Sequence, residues 1–425
     1  MTDTIFAMAS GRPPAAVAII RISGPLAHAV GAGLAGKLPP ARQARIRTLR
    51  AADGSVLDDA LVLRFDSPAS FTGEDIVELQ CHGGRAVVDA LLGALAAIDG
   101  LREARPGEFT RRAFENGRID LTEAEGLADL IEAETESQRR TALAVAEGGL
   151  RRQIDQWRQN LLSLSARAEA AIDYAEEGDV GGDPALAADC AKLATELGEW
   201  LARPRVEPLK EGVRVVVAGP PNAGKSSLLN KIAGSERAIV TALPGTTRDH
   251  IEVPLSIGGM PILLTDTAGL RDSVDPVERI GVERTRGLVE GAEILLWLGD
   301  PDEAPTHPRR ILVHPRADLP DRKVVPHDAV ATSAVNGQGV ADLLARVGDL
   351  ARAILPAEGA LALNRRQASH LQAAYDALQH AEKAVDFVLQ AEDLRVSREA
   401  FDRLTGRASV EDLLDSLFGR FCLGK

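Results

Sequence analysis

Cysteine and aromatic residues are scarce in this sequence of 425 residues, which contains 3 cysteines and 3% aromatic residues. Cys81, Cys190 and Cys422 lie far apart, so they form no CxxC metal pair, and their odd number is not a complete disulfide set. This usage fits a reducing compartment. With so few aromatic side chains, a surface on which nucleic-acid bases stack is not expected.

Long apolar runs and an excess of basic residues are also absent. No segment approaches the roughly 18 apolar residues that a membrane-spanning helix needs, and the N-terminus lacks a basic signal region. We therefore expect a soluble cytoplasmic protein. The formal net charge of -13 argues against general binding to polyanions. Most of the acidic excess lies in residues 121–212, so these helices are poor candidates for holding nucleic-acid phosphates.

The pattern of apolar residues changes three times along a chain of ordinary globular composition, with 45% hydrophobic and 26% charged residues. It predicts an α+β domain over residues 1–117, helices over 118–212, an α/β domain over 213–354 and helices again over 355–425. We therefore expect a multidomain α/β and α protein in which the α/β domain is inserted into a discontinuous helical domain.

Short apolar runs bounded by turn residues predict the strands, and helical periodicity predicts the helices. The predicted strands are residues 16–22, 61–65, 76–79, 213–218, 251–257, 261–265, 293–298 and 311–313. The predicted helices are the alanine-rich stretch 86–98, the helix start at 226–232, and residues 365–390 and 397–421. Residues 122–201 are expected to form long packed helices with breaks near residues 148–149 and 177–184. Gly258 and Gly259 predict a tight hairpin turn.

Residues 219–226 (GPPNAGKS) match the phosphate-loop pattern GxxxxGK[ST]. They follow a buried strand and precede a helix, where backbone N–H groups and the helix dipole hold phosphates. Lys225 is expected to reach the β- and γ-phosphate oxygens, and the Ser226 hydroxyl to bind Mg²⁺.

Two further segments resemble the switch elements of Ras-like P-loop GTPases. Residues 245–249 (GTTRD) contain Thr247, which can complete the Mg²⁺ shell, and residues 266–269 (DTAG) follow a predicted strand. Asp266 can hold the metal through water, and Gly269 lets its N–H approach the γ-phosphate. Leu270 stands where these enzymes carry a water-orienting glutamine, so another group must position water.

The guanine motif NKxD falls on residues 315–318 (PRAD), where proline replaces asparagine. Asp318 can still accept two hydrogen bonds from guanine, and the Arg316 stem can stack on the base. Ser333 and Ala334 resemble the last guanine-contacting loop. We expect GTP rather than ATP to bind, with the effect of Pro315 on affinity left open.

Taken together, these residues resemble the MnmE (TrmE) family of GTPases, which modify the wobble uridine of tRNA. The resemblance covers essentially the whole chain. It rests on the segments PNAGKSS (221–227), GTTRD (245–249), FTGED (71–75), VELQ (77–80), HGG (82–84), ARPGEFTRRAF (104–114) and the CxGK ending in FCLGK (421–425).

The resemblance implies a potassium-stimulated GTPase whose G domains pair across a homodimer, with K⁺ replacing an arginine finger. Asn222 matches the K⁺ side-chain ligand, and Thr241, Leu243 and Thr246 match the loop that completes this site. Glu278 matches the water-orienting glutamate. A turn-stabilising role for Asn222 and a solvated surface position for Glu278 stay open. The residues expected to contact nucleotide or its metals are Asn222, Ala223, Gly224, Lys225, Ser226, Ser227, Thr241, Ala242, Leu243, Pro244, Gly245, Thr246, Thr247, Asp266, Thr267, Ala268, Gly269, Asp318, Ser333 and Ala334.

The resemblance also implies a folate-binding N-terminal domain and a flavoprotein partner, which is MnmG in the family. Arg21, Glu78, Arg118 and Lys425 match positions that contact a 5-formyl- or 5,10-methylene-tetrahydrofolate. Ordinary surface charge remains an alternative for Arg118, where the family more often has lysine. Cys422 of the CxGK ending is assigned a catalytic role, with a buried, inert cysteine as the alternative.

Two functions therefore remain for comparison. The first is an enzyme that uses folate-borne carbon to build a carboxymethylaminomethyl or aminomethyl group at C5 of the wobble uridine. The second is a regulatory GTP switch in ribosome assembly or stress signalling, which the core nucleotide motifs alone support equally well.

Overall fold

The computed structural model describes residues 3–175, 184–234, 252–267, 287–322, 324–408 and 411–419, together with residues 421 and 424. The chain divides into two compact units, Met1–Ala128 with Thr405–Lys425, and Asp129–Leu404. The division into four domains stays a prediction.

Twelve strands are found among the described residues. In chain order they are β1 (Thr4–Met8), β2 (Val17–Ser23), β3 (Arg45–Arg50), β4 (Val56–Phe65), β5 (Ile76–His82), β6 (Leu101–Glu103), β7 (Val213–Ala218), β8 (Glu252–Ile257), β9 (Met260–Asp266), β10 (Ile294–Trp297), β11 (Arg310–His314) and β12 (Val330–Ala331).

Thirteen α-helices are found among the same described residues. They are α1 (Ala27–Ala35), α2 (Arg85–Ala96), α3 (Glu108–Glu115), α4 (Leu121–Glu132), α5 (Glu136–Ala146), α6 (Gly149–Ala175), α7 (Pro184–Leu201), α8 (Glu207–Glu211), α9 (Lys225–Ala233), α10 (Val340–Ile354), α11 (Arg365–Lys383), α12 (Phe387–Thr405) and α13 (Glu411–Phe418).

The first unit contains a six-stranded sheet in the order β3-β4-β5-β2-β1-β6, antiparallel except for the parallel pair of β1 and β6. Alternate residues of β2 point to opposite faces, so Ala18, Ile20 and Ile22 join the core that α1 and α2 cover. Arg21 lies on the other face, directly across from Glu78 of β5. The sheet therefore presents a polar cross-strand pair on the face that α1 and α2 leave open.

The expectation of one helix within residues 1–117 is wrong, because α1 and α3 also lie there. Helix α1 contains Gly31 and Gly33, which lower helix propensity and obscured it in the sequence. Gly31 has a packing reason: a Cβ at this position would lie 2.9 Å from the Val77 methyl groups. The missing side chain thus lets α1 approach β5 closely.

In the second unit, helices that precede the α/β part in the sequence share one hydrophobic core with helices that follow it. Trp157 of α6 stacks edge-on against Trp200 of α7, with ring centroids 5.2 Å apart, and lies 6.1 Å from Phe401 of α12. The chain enters and leaves the α/β part at adjacent points, since the Val206 N–H donates to the Leu363 carbonyl over 3.2 Å. The predicted insertion into a discontinuous helical core is confirmed.

The predicted boundary between the last helices is wrong. Helix α11 ends at Lys383, and the sequence-based break at residues 391–396 lies inside α12. Asp386 begins α12 by accepting a 2.7 Å hydrogen bond from the Val388 N–H. Ser397, the expected helix start, is fully buried and donates to the Ala374 carbonyl. Residues 391–396 continue this helix, and Leu394 within them is fully buried in the helical core.

The α/β part carries the second sheet, in the order β12-β11-β10-β7-β9-β8. Strands β7, β9, β10, β11 and β12 are parallel, and β8 pairs antiparallel with β9 at the edge. Gly258 and Gly259 join these two strands with φ angles of 59° and 81°, which confirms the predicted hairpin turn. Strand β7 lies between β9 and β10. The strand order therefore reverses at β7, with β8 and β9 on one side of it and β10, β11 and β12 on the other.

Among the helices within the described ranges, none is long and apolar enough to cross a bilayer.

Candidate functional site

The phosphate loop connects β7 to α9. Strand β7 has neighbours on both sides, so its Val and Ala side chains are mostly buried and the strand is a continuous apolar run. The loop leaves its carboxyl end, and α9 begins at Lys225, one residue before the predicted start at residue 226. Asn222 has a φ of 59°, a left-handed conformation that asparagine tolerates better than most residues. The loop therefore lies at the strand-order reversal, where α/β sheets bind ligands.

Two side chains of this loop are held by short polar contacts. Lys225 is 7% exposed, and its Nζ donates to the carbonyls of Gly219 (3.0 Å) and Pro220 (2.9 Å). The Ser226 hydroxyl donates to Asp266 Oδ2 over 2.7 Å, where Asp266 ends β9 and is 1% exposed. A hydroxyl and a carboxylate side by side are hard oxygen donors of the kind that Mg²⁺ prefers, so both residues fit the predicted metal site.

Other predicted nucleotide residues have structural contacts. The Thr267 hydroxyl donates to the Val217 carbonyl within the sheet (3.0 Å). Ser333 is fully buried, and its hydroxyl oxygen accepts from the N–H groups of Val335 and Asn336 at 3.3 Å each. Ser333 thus shapes the loop after β12, while Ala334 lines a cavity next to Asp318.

The predicted folate residues Arg21 and Glu78 form a salt bridge in the first unit. Arg21 Nε donates to Glu78 Oε1 at 2.9 Å, and the side chains are 21% and 15% exposed. The Arg21 guanidinium also lies 5.7 Å from the ring centroid of Phe71 and 5.6 Å from that of Phe109. A half-buried charge pair between two aromatic rings offers directional polar groups beside apolar surface.

Arg118 follows α3 in the chain and contacts the loop that carries Phe71. Its Nε donates to the Ser70 carbonyl (3.2 Å), and its Cγ would be 3.2 Å from a Cβ on Gly73. The loop over residues 66–75 therefore contacts Arg118 at Ser70 and Arg21 at Phe71. The structure brings Arg21, Glu78 and Arg118 to one region.

A network of buried charged residues adjoins this region, and the sequence did not predict it. The fully buried Arg112 donates to the Asp3 carboxylate (2.9 Å) and to Glu74 Oε2 (3.0 Å), while Arg102 pairs with Asp3 and Glu108. Burial raises the pKa of Glu108, but hydrogen bonds from Arg102 and from the Arg105 N–H lower it by more. The pKa of Glu108 is therefore below its ordinary value. The signal was present in the segments FTGED and ARPGEFTRRAF, which supply Glu74, Glu108 and Arg112.

Two of the cysteines are buried and poorly reactive. Burial raises the pKa of the Cys81 thiol, with Asp58 adding to the increase, and it raises the pKa of Cys190 to about 11. Both therefore remain protonated at neutral pH. His82 is exposed at the end of β5, where Nδ1 lies 2.8 Å from Asp58.

Several predicted site residues lie outside the described residues. They are Thr241, Ala242, Leu243, Pro244, Gly245, Thr246, Thr247, Ala268, Gly269, Glu278, Cys422 and Lys425.

Comparison with known proteins places both units in one family. A family model described as GTP-binding protein TrmE N-terminus matches residues 4–118, and one described as MnmE helical domain matches residues 121–422. The "tRNA modification GTPase MnmE" of Novosphingobium aromaticivorans is 52% identical over 437 aligned residues, which cover 100% of both chains. The chain belongs to the MnmE (TrmE) family.

Other MnmE proteins match over a similar length. The protein of that name from Erythrobacter litoralis is 51% identical and covers 100% of both chains, and that from Zymomonas mobilis is 47% identical over 99% of this chain and 100% of its own. The G domain of the T. maritima FeoB iron transporter is 25% identical over 33% of this chain and 98% of its own, with a TM-score of 0.25. The assignment rests on the family models and the full-length MnmE relatives.

Proposed function

We propose that this protein is a GTP hydrolase that acts in the modification of tRNA, as the names of its MnmE relatives state for those proteins. The hydrolase activity is supported by the contact between Ser226 and Asp266. This contact lies at the carboxyl ends of neighbouring parallel strands, next to the buried Lys225. It supplies a cation for phosphates and paired oxygen ligands for Mg²⁺.

In the proposed reaction, Lys225 exchanges its two loop carbonyls for β- and γ-phosphate oxygens. Ser226 and Asp266 would hold Mg²⁺, Asp266 through water, and the ion would supply positive charge to offset that of the phosphates. The Leu270 side chain has no hydrogen-bonding group, and we assign water orientation to Glu278, which matches the water-orienting glutamate of the family. Thr247 and the backbone of Gly269 are assigned to the γ-phosphate side.

We also assign a K⁺ site to Asn222, Thr241, Leu243 and Thr246, with G domains pairing across a homodimer. An asparagine carbonyl and backbone carbonyls are suitable oxygen ligands for such a cation. Support comes from Asn222, whose left-handed backbone lies in the phosphate loop. The cation would supply the positive charge that arginine fingers bring to phosphoryl transfer.

Replacing K⁺ by Na⁺ is expected to slow GTP hydrolysis by at least roughly tenfold, because charge at the transition state is lost, and to abolish G-domain pairing. Phosphate release and sedimentation in matched salts measure the two effects. Asn222→Ala should lose the difference between the salts, while Asn230→Ala, on the exposed side of α9, should keep it. Equal rates in K⁺ and Na⁺ would contradict the assignment.

The N-terminal site is proposed to bind a 5-formyl- or 5,10-methylene-tetrahydrofolate as one-carbon donor, with Lys425 as a further contact. The pair of Arg21 and Glu78 suits a pterin edge or a glutamate tail, since both recognise their partner through charge-assisted hydrogen bonds. Phe71, which is 37% exposed beside Arg21, supplies apolar surface for a planar ring, while Phe109 on the other side of Arg21 is buried.

Calorimetry of the full chain with 5-formyl-tetrahydrofolate tests this site. Arg21→Ala is expected to weaken binding at least roughly tenfold, because it removes a charged hydrogen-bond donor and leaves Glu78 unpaired. Arg85→Ala, which is exposed on α2 at the other face of the sheet, is the matched control and should bind normally. Unchanged binding by the Arg21 variant would reject the proposal.

The reaction on tRNA is proposed to build a carboxymethylaminomethyl or aminomethyl group at C5 of the wobble uridine, together with the flavoprotein MnmG and with Cys422 in a catalytic role. Cells lacking the chain should lose this uridine derivative in tRNA mass spectrometry and regain it on complementation. A Cys422→Ser chain should fail to restore it. Unchanged tRNA in the deletion strain would leave a GTP switch without base chemistry as the function.

A further inference from the structure

A histidine of helix α1 lies beside two aspartates that mark the ends of the loop over residues 66–75. His28 belongs to the first turn of α1, while Asp66 begins the loop and Asp75 ends it. One nitrogen or oxygen atom can be chosen from each side chain so that all three atoms lie within 4.8 Å of one another. The side chains are partly buried. None of the three is among the predicted nucleotide or folate residues.

The hydrogen bond that His28 makes identifies the ring nitrogen that carries a proton. Nε2 lies 3.1 Å from the Phe65 carbonyl oxygen. A carbonyl oxygen only accepts, so Nε2 is the donor, and in a neutral imidazole Nδ1 then presents a lone pair. Nδ1 lies 3.4 Å from Asp75 Oδ2, and an ionised carboxylate also only accepts. Two acceptors that face each other in this way repel unless a cation lies between them.

The distance between these two atoms distinguishes a metal ion from a proton. N–H···O hydrogen bonds are typically about 2.7–3.2 Å long, and His82 Nδ1 lies within that range of Asp58 Oδ1, at 2.8 Å. His28 Nδ1 makes no hydrogen bond to any residue in the described part of the chain. Two ligands of a tetrahedral Zn²⁺ ion, each roughly 2.1 Å from the metal, lie about 3.4 Å apart. The pair of His28 and Asp75 therefore has the spacing of metal ligands.

Further contacts orient all three side chains. The Ser67 N–H donates to Asp75 Oδ1 at 2.9 Å, which leaves Oδ2 on the side of His28. Arg64 donates to Asp66 Oδ1 at 2.7 Å and to Oδ2 at 3.2 Å, and a carboxylate has about four lone-pair sites, so Asp66 can also bind a metal. Metal-binding histidines usually donate their other N–H to a carbonyl or carboxylate, and ligating carboxylates are hydrogen-bonded in turn. The contacts around this cluster follow that pattern.

We propose that His28, Asp66 and Asp75 bind one Zn²⁺ ion, with water completing its coordination, and that this ion ties both ends of the loop over residues 66–75 to α1. Imidazole nitrogen and carboxylate oxygen are ligands that Zn²⁺ uses, whereas Mg²⁺ prefers oxygen ligands alone. The same loop carries Phe71, so the bound ion restrains one wall of the proposed folate site. The zinc site itself is independent of the proposed function, because neither nucleotide nor folate takes part.

Calorimetry of the full, nucleotide-free chain with zinc chloride, after dialysis against a chelator, tests the proposal. One ion per chain is expected to bind with a Kd below about 10 μM, and Mg²⁺ should not displace it. Co²⁺ in place of Zn²⁺ should give the visible absorption of nitrogen and oxygen ligands without the ultraviolet band of a cysteine thiolate. A thiolate band, or no binding in this range, would overturn the inference, and the second result would leave a proton between His28 and Asp75.

Two variants and one control locate the ion. His28→Ala removes the nitrogen ligand and Asp75→Asn removes a charged oxygen at nearly constant shape, so each should weaken Zn²⁺ binding at least roughly tenfold. His82→Ala is the matched control, because His82 has the ordinary hydrogen-bond distance to its aspartate, and it should bind Zn²⁺ normally. Zn²⁺ should also slow hydrogen exchange in peptides covering residues 66–75 of the unaltered chain, which decides the question if a variant fails to fold. Equal affinity in all these chains, or unchanged exchange, would reject the site.

Discussion

Lys225→Ala is expected to lower the rate of GTP hydrolysis roughly 100- to 1,000-fold, the cost of losing one preorganised donor to transition-state charge. The side chain is almost fully buried, and its Nζ already points at the loop carbonyls of Gly219 and Pro220. The cation is thus positioned before nucleotide arrives, and its loss cannot be replaced by water at the same place. Steady-state phosphate release measures the effect.

Lys231→Ala is the matched control, because Lys231 belongs to the same helix α9 but is exposed near its end. It should hydrolyse GTP within about twofold of the unaltered protein, since surface changes have small effects. A Lys225→Ala chain that keeps more than a tenth of the normal rate would show that this lysine does not act on the phosphates.

Arg112→Met is expected to destabilise the first unit by about 3–5 kcal/mol, the usual cost of removing one partner of a buried ion pair. Arg112 is fully buried and bridges Asp3 of the N-terminal segment to Glu74 of the loop over residues 66–75. Methionine fills similar volume but leaves the largely buried Glu74 without its cation. Because that loop carries Phe71 and Ser70, binding of 5-formyl-tetrahydrofolate at the proposed site should weaken as well.

Hydrogen exchange is the appropriate measurement, because all three tryptophans, Trp157, Trp200 and Trp297, lie in the second unit and do not report on the first. Peptides covering β1 and α3 should exchange faster in the Arg112 variant. Arg111→Met is the control: Arg111 is partly exposed, pairs with Glu115 and Asp415, and should cost about 0–1 kcal/mol. Similar exchange in both variants would mean that the network is not a major source of stability.

Most strands of the α/β part were predicted because their signals are local, whereas β12 and helix α10 were not predicted. A run of apolar residues from Val213 to Ala218, followed by a glycine-rich loop, identifies a strand with neighbours on both sides, and Gly258 with Gly259 identifies the hairpin. The break before α12 was missed because a single capping residue, Asp386, decides it.

For the site in the first unit, the sequence predicted individual residues through the family resemblance but not how they lie relative to one another. Arg21 and Glu78 are separated by 57 positions in sequence, and only strand pairing between β2 and β5 brings them together. The aromatic rings beside Arg21 and the network around Arg112 depend on the packing of the loop over residues 66–75 against α3, which no sequence period reveals. Arg316 likewise reaches the phosphate loop through a tertiary contact.

The hydrogen bond between Val206 and Leu363 has a consequence for the order of folding. Helices α7 and α11 pack together although residues 202–364 separate them, and closing so long a loop in an unfolded chain costs entropy that grows with its length. Once the α/β part has folded, its own contacts hold the two ends side by side, and the helices meet as if a short turn joined them. The α/β part should therefore fold first, and the helical core should close on it.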